Sequence, residues 1–214
     1  MFDYKRAVKT QQILSNRLNL VWNGSEVKTI GGADCSYDHK NSKVYAKMVV
    51  CRLSDLRIID SSEAAGDLVV PYAPGFLSFR EAPAYIKSFE RLNTIPDVIL
   101  IDGNGIAHPR KMGVASFIGV VLDIPTIGCA KSPFFPFTLP DKKRGAYTWY
   151  RNKKNEEIGY CLRTQTDIKP IFVSPGNKID FETSLHVVLK CSKFRIPEPI
   201  RYAHKQATDL LKNQ

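Results

Sequence analysis

The chain has 214 residues, 43% of them hydrophobic and 24% charged, a globular composition sized for a single domain over 1–214. Thirty-one Lys and Arg against 21 Asp and Glu leave a net charge of +10, which favours a polyanionic partner, nucleic acid first. No stretch approaches the ~20 apolar residues of a membrane span, the N-terminus has no apolar signal core, and five scattered cysteines without a CxxC pair argue against a disulfide framework or zinc knuckle.

Taken in order, residues 3–20 have the apolar spacing of an amphipathic helix. Three short strands follow at 27–37, 43–53 and 56–63, the first two joined by a turn at DHKNS, which predicts an antiparallel meander. Residues 80–92 read as a helix in which Pro83 is tolerable only in the first turn. DVILID, 97–102, is a continuous apolar run ending in an acid, as in a strand buried on both faces. A helix at 110–123 and a buried strand at 126–130 come next, then a basic, polar stretch at 141–165 with a hairpin around KKNEE, and helices at 180–193 and 198–212. This order predicts a mixed α/β sheet flanked by helices and resembles a ribonuclease H-like domain.

Three carboxylates interrupt apolar sequence: Asp34 in IGGADCSY, Glu81 after the proline-rich PYAPGFLSFR, and Asp102 at the end of DVILID. Singly, each has an ordinary explanation, a turn cap for a strand-terminal Asp or a dipole partner for a helix-start Glu. Together, with Asp102 at the carboxyl end of a parallel strand where open α/β sheets bind ligands, they form a set of oxygen donors that suits a hard divalent cation.

The segments GGADCSY, VVPYAPGFLSFREAP, DVILIDGNGIAHPRKMGVASFIGVVLDIPTIGCAKS, FVSPG and FRIPEPIRYAH occur in this order across nearly the whole chain. Together they resemble the endonuclease V family, nucleases that cut beside deaminated adenine (inosine). The resemblance implies a ribonuclease H-like fold, a Mg²⁺ requirement with Mn²⁺ as substitute, and Asp34, Asp102 and Glu81 as metal ligands. It also implies catalytic roles for His204, in RYAH, and Lys131, in GCAKS. Tyr72, in the stiff PYAP segment with Pro74, would be a wedge that opens the base stack. The base pocket would be walled by Gly75, Phe76 and Leu77 and by Gly103, Asn104 and Gly105, with Arg80 carrying the wedge segment into the metal site. His108 would steady the loop after Asp102 or touch the phosphate.

The chain has Asn177 where family members commonly have His after VSPG, so no catalytic role is expected of it; His39 and His186 fit no motif and read as turn and helix-surface residues. The resemblance implies hydrolysis of the second phosphodiester bond 3′ of deoxyinosine in DNA, leaving 3′-hydroxyl and 5′-phosphate ends and starting repair. The unpaired cysteine pattern and the lack of a signal core or apolar span lead to the expectation of a cytoplasmic protein without membrane contact, and a monomer is expected. The rivals are an inosine-specific endoribonuclease and a non-catalytic inosine- or nucleic-acid-binding protein. The basic stretch 141–154 is either a backbone contact or a solvated hairpin face.

Overall fold

The computed structural model describes residues 2–212. In chain order the elements are α1 (Tyr4–Ser15), β1 (Thr29–Asp38), β2 (Lys43–Arg52), β3 (Ile58–Asp67), α2 (Leu77–Phe89), β4 (Val98–Ile101), α3 (Val114–Leu122), β5 (Thr126–Ala130), β6 (Tyr147–Arg151), β7 (Glu157–Leu162), β8 (Ile171–Asn177), α4 (Phe181–Lys190) and α5 (Glu198–Lys212). The strands form one sheet in the order β3-β2-β1-β4-β5-β8-β7-β6. The β1–β3 meander is antiparallel, β1, β4 and β5 run parallel, and β8, β7 and β6 return antiparallel.

Successive side chains of a strand point to opposite faces, and β4 uses both. Val98 and Leu100 pack with Ile200 and Ala203 of α5 and Val188 of α4; Ile99 and Ile101 pack with Tyr85 of α2 and Ile118 of α3. A short strand buried on both sides thus forms the middle layer of a helix–sheet–helix sandwich. Asp3 caps α1 by accepting from the Arg6 amide at 3.0 Å. Leu14 and Leu18 lean on the α2/α3 side of the core.

The expected elements are present, β5 and α5 with the expected ends and the others with shifted ones, and two differences have physical causes. The first is α2, which begins at Leu77 rather than at residue 80 and so carries Pro83 in its interior. The missing amide of Pro83 removes one intrahelical bond, and burial of Ala82, Ala84 and Tyr85 against the sheet offsets that cost. The second is β8, a strand absent from the sequence reading, which runs from the basic stretch 141–165 straight to the helix at 180–193; Pro175 lies inside it. β7 pairs with β8 only from Ile171 to Val173, so Pro175 sits where that side of β8 has become an edge, and edge strands tolerate proline. Its carbonyl accepts the Ile106 amide at 2.8 Å instead.

Ile30, Gly32 and Asp34 share the β1 face that receives α5. A Cβ at Gly32 would run into the backbone of Pro199, at the start of α5. Gly32 is therefore the close approach that seats α5 on β1. Gly32→Ala is expected to lower stability by about 2–3 kcal/mol, read as a melting temperature lower by roughly 5–10 °C, and to reduce activity as well, because α5 carries His204.

Candidate active site

Strand register brings the first two acids together. Ala33 pairs with Ile101 in the parallel β1–β4 ladder, and the Asp102 amide donates to the Ala33 carbonyl at 3.2 Å, so Asp34 and Asp102 follow side by side. Glu81 reaches the same cleft from the second turn of α2, not from its first residue. Lys131, just past β5, ion-pairs with Asp102. His204 comes down from α5 and places its Nδ1 2.6 Å from Asp34 Oδ2. All five line one cleft of about 540 Å³, together with Tyr37, Tyr72, Leu77, Arg80 and Gly103.

The electrostatics are those of crowded like charges. Burial pushes the Asp34 carboxyl up, Asp102 pushes it further, and the His204 contact opposes both. Glu81 is driven up to about 8, first by burial and then by Asp34 and Asp102, against a lowering bond from Tyr37. The Tyr37 hydroxyl donates to Glu81 Oε1, while the other oxygen, Oε2, is buried with no hydrogen-bond partner among the described residues. Buried polar atoms are rarely left in that condition. Among the described residues no three Asp, Glu, His or Cys side chains are gathered tightly enough to hold an ion as they stand; Lys131, Tyr37 and His204 instead engage the three acids.

Arg80 and Glu81, adjacent in sequence, do not pair. Arg80 turns inward, donating to the Val70 carbonyl at 2.8 Å and lying 4.7 Å from the centre of the Tyr37 ring. It braces the cleft from behind and does not line the neighbouring cavity.

That second cavity, about 260 Å³, shares Tyr72, Leu77, Gly103 and Ser132 with the cleft and extends past Pro74, Gly75, Asn104 and His108 to Phe134. It lies below the roughly 300 Å³ at which drug-sized sites begin, a volume suited to one heterocycle. Tyr72 stands at its mouth 72% exposed. Two buried polar atoms without partners among the described residues, Asn104 Oδ1 and Ser78 Oγ, belong to residues that line it. Gly105, expected in the wall, lies outside it: its amide donates to Ser174 Oγ at 2.9 Å and a Cβ there would strike the Pro175 carbonyl, so it joins the loop to β8. Phe76 also turns away, packing edge-on against Phe2 and Tyr4 and lying 4.7 Å from the Arg110 guanidinium.

Three donors converge on the Gly75 carbonyl: Gln11 Nε2 at 3.0 Å, His108 Nε2 at 3.1 Å and Arg110 Nη2 at 2.8 Å. Gly75 has φ +83°, the left-handed region that favours glycine, and a Cβ would crowd Arg110 Nη2 at 2.9 Å. Gln11, Arg110 and Tyr37 were not singled out from sequence. The one available signal was Gln11, a fully buried polar residue in the apolar stripe of α1. His39 is an exposed turn residue stacked on Tyr37, and His186 is exposed on α4. Asn177 is buried away from the cleft, donating to the Gly119 carbonyl and accepting from the Asn19 amide. Within the basic stretch, Arg144 is spent on the Leu189 and Ser192 carbonyls at the end of α4.

A mixed sheet in this strand order, with acids brought together where β1 and β4 run parallel, is the framework of the ribonuclease H-like nucleases. The sequence profile of endonuclease V matches residues 11–205, and an endonuclease V of Dictyoglomus turgidum is 41% identical over 213 residues, 99% of this chain and 92% of that protein. The chain belongs to the endonuclease V family. The crystal structure of the Streptomyces avermitilis endonuclease V is similar with a TM-score of 0.94 at 35% identity, covering 100% of this chain and 95% of that one. A Ciona intestinalis endonuclease V (D234N), crystallised with a 23mer DNA containing an inosine followed by a ribo-adenosine, is similar with a TM-score of 0.88 at 29% identity, covering 100% and 99%.

His108 gives a test of the pocket wall. Its Nε2 donates to the Gly75 carbonyl and its Nδ1 accepts from the Arg110 amide, which requires the neutral ring; burial, then the Arg110 charge, lowers its pKa from 6.5 to about 4. Between those values the unfolded chain binds the proton and the folded chain does not, so stability falls as pH falls. A loss of about 2 kcal/mol from pH 6.5 to 5 is expected in chemical denaturation from this residue, and it should disappear in His108→Asn.

Proposed function

We propose that the protein is a divalent-metal-dependent endonuclease that takes a deaminated adenine of DNA into the 260 Å³ cavity and hydrolyses the strand at the neighbouring acids. The observation that carries this reading is the continuity of the two spaces, a base-sized cavity opening past Gly103 into a three-carboxylate cleft. The Ciona relative's inosine-containing DNA supports the same substrate.

Flipping a base out of a duplex costs a few kcal/mol. Tyr72 is exposed, aromatic and held between Pro71 and Pro74 on a segment fixed through the Gly75 carbonyl, so it can fill the vacated stack with little ordering cost. Hypoxanthine offers N1–H as donor and O6 as acceptor, and Asn104 Oδ1 and Ser78 Oγ have unused capacity for that edge.

The acids fit Mg²⁺ or Mn²⁺ by three features of the chain: the donors are hard carboxylate oxygens, Glu81 Oε2 lacks a partner among the described residues, and burial first, then the neighbouring acids, raise Asp34 and Glu81. Asp34, Glu81 and Asp102 would hold the ion, which when bound polarises the phosphoryl oxygens and activates water. Lys131 places a positive charge where negative charge develops on the phosphate. His204, through Nδ1, fixes Asp34 and stands beside the path of the incoming water. The bond cut is the second phosphodiester 3′ of the lesion, leaving 3′-hydroxyl and 5′-phosphate ends for repair to continue.

The ribo-adenosine that follows the inosine in the Ciona complex supports a second reading, cleavage of inosine-containing RNA. End-labelled DNA and RNA strands with one inosine or an adenine control, incubated with the protein and Mg²⁺, separate the two. A cut one nucleotide beyond inosine in DNA is the expected product, absent in EDTA and restored by Mn²⁺. Cutting of RNA alone would move the activity to RNA, and binding with no cutting of either under Mg²⁺ or Mn²⁺ would leave a binding protein. Asp34→Ala and Asp102→Ala should each lower cleavage by roughly 10³-fold or more, with inosine-strand binding retained in a gel-shift assay.

A further inference from the structure

A third cavity, about 400 Å³, shares Lys131 and His204 with the acid cleft and no residue with the base-sized cavity. The acids therefore lie between the two. None of the described residues lining this third space is a carboxylate; Arg195, Arg201 and Lys205 surround an apolar floor of Ile196, Ile200 and Phe194.

The cations have different tasks. Arg195 is consumed by the fold, its Nε donating to the Lys169 carbonyl at 3.1 Å and its Nη2 to the Lys131 and Pro170 carbonyls at 3.2 and 3.0 Å. Those bonds pin the segment bearing Phe194 to the end of β5 and the start of β8. Arg201 lies 3.9 Å over the Phe194 ring, is held by Glu198 at 2.7 Å, and keeps a side chain 41% exposed. Lys205, one turn further along α5 on the same face, is exposed and enters none of the ion pairs among the described residues.

Phe194 remains 55% exposed. An arginine laid along a surface phenylalanine is an ordinary way to cover apolar area. That account leaves unexplained why the ring is still open, why the groove excludes carboxylates, and why it runs into the acid cleft. Proteins that track single strands combine a basic groove with aromatic platforms on which bases stack, and all three features follow from that design.

We propose that this groove holds the substrate strand on the 3′ side of the cut, with Arg201 and Lys205 on successive phosphates and Phe194 stacked under a base. The inference rests on the reading that the acids cut 3′ of a base held in the first cavity. The strand then runs from the cavity, across the acids and out over α5, so the groove engages only nucleotides beyond the scissile bond.

Equilibrium binding by fluorescence anisotropy, in EDTA at low salt, tests it without cleavage. Single strands share one 5′ flank and carry 3′ flanks of two or eight nucleotides beyond the second 3′ phosphodiester. The wild type should bind the longer strand about ten-fold more tightly. Lys205→Gln, at an exposed site, and Phe194→Leu, which keeps the floor apolar, should each shrink that ratio by at least about three-fold, with little change for the short strand. A wild type that binds both lengths alike or binds neither, or variants that weaken both strands equally, would overturn the groove. Equal affinity for inosine and adenine strands would instead sink the lesion reading, and the flank-length ratio, measured on either strand, would still decide the groove.

Discussion

Like charges in a partly buried cleft repel, and the register of β1 on β4 makes their proximity unavoidable. With Ala33 opposite Ile101, the next residues along the two strands are both aspartates, and α2 adds a buried glutamate against them. Much of the surrounding structure compensates for that arrangement. His204 is brought in on α5 to meet Asp34, Lys131 meets Asp102 from the end of β5, and Tyr37 donates to Glu81. One oxygen of Glu81 has no partner among the described residues, and Asp34 and Glu81 are both shifted upward, by burial first and by the neighbouring acids second, a cost that His204, Lys131 and Tyr37 relieve only in part. A cation is the chemical species that would complete the relief, which is why the site reads as a place to bind one.

The second organising feature is rigidity beside the acids. The wedge proposed for Tyr72 requires a segment that does not spend binding energy on becoming ordered. The chain 71–77 has two prolines and a glycine whose carbonyl is gripped from three directions, by α1 through Gln11 and by the loop after β4 through His108 and Arg110. That loop begins at Asp102 itself. Base-sized cavity and acid cleft therefore share a wall, and a displacement of one is felt in the other.

Much of the sandwich could be read from pattern. The α5 pattern over 198–212 and the apolar β5 run at 126–130 matched the observed helix and strand, because a helical stripe leaves a 3.6-residue period and a doubly buried strand an unbroken apolar run, both dictated by local burial. The β8 strand did not announce itself, since Pro175 is compatible with a strand only where β7 has stopped pairing, a fact of the sheet and not of the segment. The sequence puts the start of α2 three residues late, because Pro83 implies a first turn when nothing is known of the packing that offsets it. Arg80 next to Glu81 looks like an ion pair in one dimension; in three, successive helical side chains diverge by about 100°, and Arg80 leaves toward Val70 and Tyr37.

The acids Asp34, Glu81 and Asp102 stood out in the sequence because charge in an apolar run is costly and therefore conspicuous, and their neighbouring motifs were long enough to indicate the family. The fold alone decided which atoms they meet. Tyr37, Gln11 and Arg110 act through contacts spanning 44 to 99 residues of chain, and Gly105 differs from Gly103 only in which way the loop turns. Composition and periodicity report how much a residue is buried; they carry no information about the direction of a side chain or the partner it finds across the sheet. For this protein those directions separate a row of acids from a site.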